Sequence, residues 1–337
     1  MIGRAWRSGW RRVLAAPAIA LSVFVLTVLL ALPLASVIRS DIRADLDSSL
    51  TAAAVADGVD YDWWQEFRTR ATGLGSTFSP SIIGFAATLD NLSSVLDGQA
   101  ELGPIALALA LYLAGWTFLS GGAIDRYARQ RPTRAHGFFA ACGVFFFRFL
   151  RLALVAGAVY WWLFAYLHPW LLDEWYGDLT RDLTAERTAF LWRVGLYAVF
   201  GMPLLAANIV FDYARVRLVV EDRRSALGAI GAATRFIGRH PAHTAGLYAL
   251  NSLVFLLVLA VWAFVAPGVG GTGLPMWTAL AVGQAYVIAR LLLKLQFMAS
   301  QTALFQEHLA HARYTAAPQS AWPESPAAET VRQSVAG

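Results

Sequence analysis

The residues best placed to do chemistry are two cations inside an apolar stretch. Arg290 and Lys294 stand one helical turn apart in the run from 276 to 298 and share a face with Tyr286. Charged groups at membrane depth mark functional sites by default, and a guanidinium beside an ammonium suits an anionic lipid headgroup or another anionic ligand. Two other readings stay open: both side chains snorkel to the membrane boundary, or they pair with Asp125 or Asp212. Those aspartates lie where apolar runs give way to arginine-rich segments, so each carboxylate needs a partner or water. Arg148 and Arg235 each follow their aspartate by 23 positions. That spacing suits two equivalent ion pairs, Asp125 with Arg148 and Asp212 with Arg235. Independent snorkelling charges and a functional ionisable site are the alternatives.

Other motifs do not assemble into a site. Gly268-Val-Gly270-Gly-Thr-Gly273 has the form of a dinucleotide fingerprint, but it joins two apolar runs with no strand before it. His240 with His243, and His308 with His311, are spaced three apart, yet neither pair brings the third protein ligand of a catalytic zinc site. Cys142 is the single cysteine, which excludes an internal disulfide, and it falls on an apolar face where thiols are usually inert. Neither a phosphate-loop lysine nor a Gly-x-Ser-x-Gly elbow occurs. No catalytic residue, cofactor or metal is expected, and the chain reads as a protein without enzymatic activity.

The elements that carry these residues follow from composition. Of 337 residues, 58% are hydrophobic and 15% charged, against about 25% charged in soluble domains. A bilayer core needs roughly 20 apolar residues per helix. Six stretches meet that need, at about 13–38, 104–124, 152–172, 190–211, 244–266 and 276–298. The fold class is therefore all-α, a polytopic membrane bundle over 1–314. The first stretch has a basic flank (Arg4, Arg7, Arg11, Arg12) but is longer than the apolar core of a signal peptide, so it reads as an uncleaved helix.

Charge assigns the loops to sides. The segments 125–151 and 212–243 hold six arginines each, against one acid and three acids, whereas 39–103 holds ten acids against four arginines. Arginine-rich segments stay in the cytoplasm, which predicts six crossings with both termini cytoplasmic. The net charge of +5 then reports topology and not affinity for nucleic acid.

The outer loop 39–103 carries Asp62-Trp63-Trp64-Gln65-Glu66-Phe67 and, after Pro80, a helical pattern through Ile82, Phe85, Leu89 and Leu92. Two short helices on the outer surface are expected. They cap the bundle, receive a substrate or dock a partner, with Trp63, Trp64, Phe67 and Phe85 as docking candidates. The tail 315–337 is rich in Pro, Ala and Ser and is expected to be disordered.

The two arginine-rich segments form an internal repeat. Asp125-Arg-Tyr127-Ala128-Arg129 returns as Asp212-Tyr213-Ala214-Arg215, offset by 87 positions, and each unit continues into an amphipathic stretch. Phe138, Phe139, Cys142, Phe145, Phe146, Phe149 and Leu150 form one apolar face, and Ala226, Leu227, Ile230, Ala233 and Ile237 a weaker one. Both stretches read as interfacial helices on the cytoplasmic side. With the Trp6-Arg7-Ser8-Gly9-Trp10-Arg11-Arg12 entry, these units resemble poorly characterised bacterial six-helix integral membrane families. The membrane domain fused to some glycerophosphodiester phosphodiesterases is of this general type. The resemblance covers chiefly 104–266; it implies a bacterial inner-membrane bundle with interfacial helices and carries over no catalytic residue.

The expected function is an accessory or scaffold subunit of a membrane complex. Its partners would be the lipid bilayer, anionic lipid, and other membrane or envelope proteins. The alternative is a permease-like component working with a separate ATPase.

Overall fold

The structure is a computed structural model and describes residues 1–47, 49–57, 60–78, 105–267 and 273–311. Of these residues 88% are helical and none is in a strand. The helices are α1 (Ile2–Leu14), α2 (Pro17–Leu46), α3 (Ala52–Asp57), α4 (Tyr61–Arg70), α5 (Ala106–Arg129), α6 (Ala135–Thr180), α7 (Glu186–Val220), α8 (Ala226–Arg239), α9 (Pro241–Val265) and α10 (Leu274–His311). Six of them, α2, α5, α6, α7, α9 and α10, are long and apolar enough to cross a membrane. The chain is a multi-pass membrane protein.

Packing divides it into two levels. Along the spans, large apolar side chains such as Leu256, Leu257, Val261 and Phe264 are exposed, and only 6% of the most apolar window of α9 is buried. Such a surface needs lipid around it. The tight core lies at the arginine-rich end, where Tyr127, Tyr213, Phe305 and Leu304 are fully buried together with Gln301 and Thr302.

The start of the chain builds much of this base. The expected first span at 13–38 begins instead at Pro17, and the residues before it form the separate helix α1. Ala16 leaves the helical region (φ −137°, ψ 58°) and Pro17 restarts it, because proline fits a first helical turn but cannot continue a preceding one. Ala5, Gly9 and Val13 are four apart and form the buried stripe of α1. That stripe lies against the last third of α10. A Cβ at Gly9 would meet the backbone nitrogen of Ser300 at 2.8 Å, so only glycine allows this approach. Gln296 Nε2 donates to the Trp6 carbonyl (2.9 Å), and an Arg12 nitrogen donates to Gln306 Oε1 (2.8 Å) and to the Tyr127 carbonyl (3.0 Å). Burial, followed by the opposing charges of Glu307 and Arg11, brings the Arg12 guanidinium down to about 10.

The two repeat units differ in one respect. The first amphipathic stretch is not a separate interfacial helix, because α6 runs unbroken from Ala135 to Thr180. Its buried face, Cys142, Phe145, Phe149, Leu152 and Ala156, keeps helical spacing straight into the span. No proline interrupts it before Pro169, where two π-helical stretches (Leu163–Leu167 and Trp170–Trp175) absorb the missing donor. Gly121 and Gly122 of α5 let α6 approach, since Cβ atoms there would meet Phe145 Cβ at 2.8 Å and Cys142 Sγ at 2.5 Å.

In the second unit α8 is a separate helix. Ser225 Oγ caps it by accepting from the Gly228 amide (3.1 Å), and His240-Pro241 ends it. Its buried face is Ala226, Ala229, Ala232, Ala233 and Phe236, while Leu227, read as part of its apolar face, is exposed. Small residues face inward because α8 packs closely on α7.

At the opposite end, Asp60 caps α4 by accepting from the Trp63 amide (3.0 Å). The α4 helix folds back onto the end of α2: Trp63 Nε1 donates to Asp45 Oδ2 (2.9 Å), Arg70 pairs with Asp45 (3.5 Å), and Trp64 Nε1 donates to the Phe78 carbonyl (3.0 Å). Trp63 and Phe67 are only 7% and 3% exposed. They hold α4 to α2 and so are not docking residues, whereas Trp64 is half-buried. Phe85, the pattern after Pro80 and the tail 315–337 lie outside the described residues.

Candidate functional site

Four spans enclose a cavity of about 480 Å³, lined by Thr27 of α2, Tyr112 of α5, Tyr248 and Ser252 of α9, and Arg290 and Lys294 of α10. The two cations singled out in the sequence thus share one space. Counting from Leu274 at about 1.5 Å per residue, Arg290 lies roughly 24 Å and Lys294 roughly 30 Å along α10. The hydrocarbon core is about 30 Å thick. The cavity also takes in Thr27, about 15 Å along α2 from Pro17, and Ser252, about 16 Å along α9 from Pro241, so it lies between the spans along their apolar length.

Aromatic rings, not acids, hold the cations. Lys294 Nζ stands 3.6 Å from the centre of the Trp116 ring and 5.2 Å from that of Tyr112, and the Arg290 guanidinium carbon is 5.5 Å from the Tyr286 ring. Among the described residues neither cation makes an ion pair, and both side chains are exposed to the cavity. A cation–π contact contributes about 0.5–2 kcal/mol, while a lysine or arginine at membrane depth costs about 2.5–3.5 kcal/mol on insertion scales. The rings therefore offset only part of the cost, and an anion in the cavity would offset the rest. Asp212 and Arg215 act on Lys294 electrostatically from the same region.

Neither expected long-range ion pair forms. Asp125 is paired with Arg129 (2.8 Å) and Asp212 with Arg215 (3.3 Å), so each repeat unit satisfies its aspartate with its own arginine. Gln301 Nε2 adds a hydrogen bond to Asp212 (3.2 Å). The register of α5 on α6 explains why Asp125 and Arg148 do not pair. Gly121 faces Phe145, so in this antiparallel pair Arg148 and Asp125 lie about seven residues apart along the axis, or roughly 10 Å. Arg148 instead pairs with Asp222 and donates to the Arg223 carbonyl (3.2 Å). Arg235 is exposed at the surface of α8, and no described carboxylate pairs with it. Beside the Arg148–Asp222 pair, Glu221 accepts from Arg217 and Arg223. Burial pushes its carboxyl up, but these hydrogen bonds and charges prevail and hold it below the ordinary carboxylate range.

The fold also joins what the sequence left apart. His240 and His243, at the α8–α9 junction, meet His308 of α10, and one ring nitrogen from each of the three lies within 4.8 Å of the other two. The pair at 240 and 243 therefore has a third imidazole, contrary to the reading of each pair alone. Burial, then the charges of His308, His243 and Arg239, lowers the His240 imidazole from its usual value. Cys142 is buried against Gly122, in agreement with an inert thiol.

No family model, curated protein or solved structure matches the chain.

The sequence did not single out Tyr112, which lines the cavity, or Trp116, whose ring lies against Lys294. Their four-residue spacing on α5 is a signal, but only the packing of α5 beside α10 gives it meaning.

Proposed function

We propose that this chain is a non-catalytic protein of the bacterial inner membrane, with both termini cytoplasmic, that holds the anionic headgroup of a lipid between its spans. The reading rests on one observation: Arg290 and Lys294 face a single cavity between the spans, and neither makes an ion pair there among the described residues. Tyr248 and Ser252 supply hydroxyls to the same space, and the open apolar flanks of the spans suit acyl chains. Arginines on the same end of the bundle would favour anionic lipids of the cytoplasmic leaflet.

A role as an accessory subunit of a membrane complex goes with this reading. It is supported by the low burial of α9, whose apolar surface is available to neighbouring spans as well as to lipid. Purification of the tag-free chain from native membranes in mild detergent, with mass spectrometry of lipids and proteins, tests both parts. Retained anionic lipid that disappears in an Arg290→Gln, Lys294→Gln chain supports the lipid site. A stoichiometric membrane protein supports the subunit role, and a nucleotide-binding partner would favour the permease-like alternative. Retention of the same lipids by wild type and variant would refute the proposed site.

A further inference from the structure

We propose that His240, His243 and His308 form a binding site for a divalent transition-metal ion, with zinc the best fit. The site is separate from the cavity and does not depend on the lipid reading.

Three observations carry it. The first is convergence from two distant parts of the chain. His240 ends α8 and begins α9, His243 stands three residues on in the first turn of α9, and His308 projects from α10. The ring centres of His240 and His308 are 4.2 Å apart, those of His243 and His308 5.2 Å, and those of His240 and His243 6.5 Å.

The second is the orientation of His308. Its Nδ1 lies 3.0 Å from the Leu304 carbonyl, and a carbonyl only accepts, so Nδ1 carries the proton. That fixes Nε2 as the nitrogen with the free lone pair. Nε2 is buried and has no hydrogen-bond partner. A backbone carbonyl holding one imidazole nitrogen while the other is left to bind is how metal-ligating histidines are positioned. Without a metal, the same arrangement leaves a buried acceptor unsatisfied, which costs free energy.

The third is ligand chemistry. Three neutral imidazoles suit zinc and its neighbours, and three protein ligands leave a fourth position for water. With bonds of about 2.0–2.1 Å, tetrahedral ligands stand roughly 3.3 Å apart. One nitrogen from each ring already lies within 4.8 Å of the other two, and ring rotation with small side-chain shifts brings them to that spacing. Arg239 also acts on His240, and bound metal must overcome that repulsion. Bound there, the ion would tie the α8–α9 corner to the end of α10.

The test uses the full chain in detergent without a polyhistidine tag, stripped with chelator and titrated with zinc by calorimetry. One zinc per chain is expected, with affinity lowered at least the 10–100-fold typical of losing an outer-shell partner in His308→Gln and in His243→Gln. His136→Gln should leave binding unchanged. Cobalt in place of zinc should give the strong visible bands of tetrahedral coordination, lost in the same variants. Circular dichroism checks that each variant is folded; should His308→Gln misfold, His243→Gln and His240→Gln at the helix junction decide the matter. No saturable zinc in wild type, or zinc binding indifferent to these substitutions, overturns the proposal.

Discussion

Replacing Gly9 with alanine separates a docked α1 from one lying free on the surface. In a free helix, alanine is more favourable than glycine by about 0.8–1.0 kcal/mol, so the change would stabilise. In this fold the new Cβ would lie 2.7 Å from Gln296 Oε1 and 2.8 Å from both Cβ and the backbone nitrogen of Ser300. Gln296 could swing away, but doing so breaks its hydrogen bond to the Trp6 carbonyl. The Ser300 contacts belong to a long helix that cannot yield locally. Overpacking of this kind costs about 1–3 kcal/mol, and with so rigid a neighbour the upper end applies. After subtracting the propensity gain, a net loss of about 1–2 kcal/mol remains. At about 2–4 °C per kcal/mol, the apparent melting temperature should fall by several degrees. Gly3, on the same helix with nothing within 4 Å of its Cβ position, is the control, and Gly3→Ala should be neutral or stabilising. Thermal unfolding followed by tryptophan fluorescence measures both, with Trp6 and Trp10 as reporters within α1. A Gly9→Ala chain as stable as Gly3→Ala would refute the docking of α1 on α10.

Three further outcomes follow from the base of the bundle. The hydroxyls of Tyr127 and Tyr213 are buried without a hydrogen-bond partner among the described residues, so Tyr127→Phe and Tyr213→Phe should be neutral or stabilising by up to about 1 kcal/mol; a loss above that in thermal unfolding would reveal a partner. Because Arg148 pairs with Asp222, Arg148→Asp should be partly rescued by Asp222→Arg, by about 1 kcal/mol, and not by Asp125→Arg; rescue by the latter in melting experiments would restore the long-range pairing. Glu221, whose carboxyl is held low by Arg217 and Arg223, contributes stability that is fully present above the unfolded carboxylate value of about 4.3 and is lost as pH falls through its lower folded value. The stability of wild type should therefore drop more steeply below that pH than that of Glu221→Gln, and parallel acid limbs would contradict the assignment.

The spans were legible because the period and length of apolar runs answer directly to the bilayer. Pairing between distant elements was not. α1 escaped notice as a separate helix because its partners, Gln296 and Ser300, stand near the other end of the chain, and only Pro17 marks the break. The repeat was legible in Asp125, Tyr127, Asp212 and Tyr213, yet an equal spacing of 23 residues suggested two ion pairs, the first ruled out by the register of α5 on α6 and the second by the exposed position of Arg235. His240-Pro241 stops α8 where the first repeat has no proline, and that local difference was readable. The cavity cations stood out as charges in an apolar run, whereas Tyr112, Trp116 and the third histidine gained meaning only from tertiary contact.

The central claim, an anionic headgroup held by Arg290 and Lys294, is tested most directly by native mass spectrometry of the full chain with phosphatidylglycerol and phosphatidylcholine in competition. The account predicts preferential retention of phosphatidylglycerol by wild type and no preference in Arg290→Gln, Lys294→Gln. Equal retention of both lipids by wild type, or an undiminished preference in the variant, would contradict it.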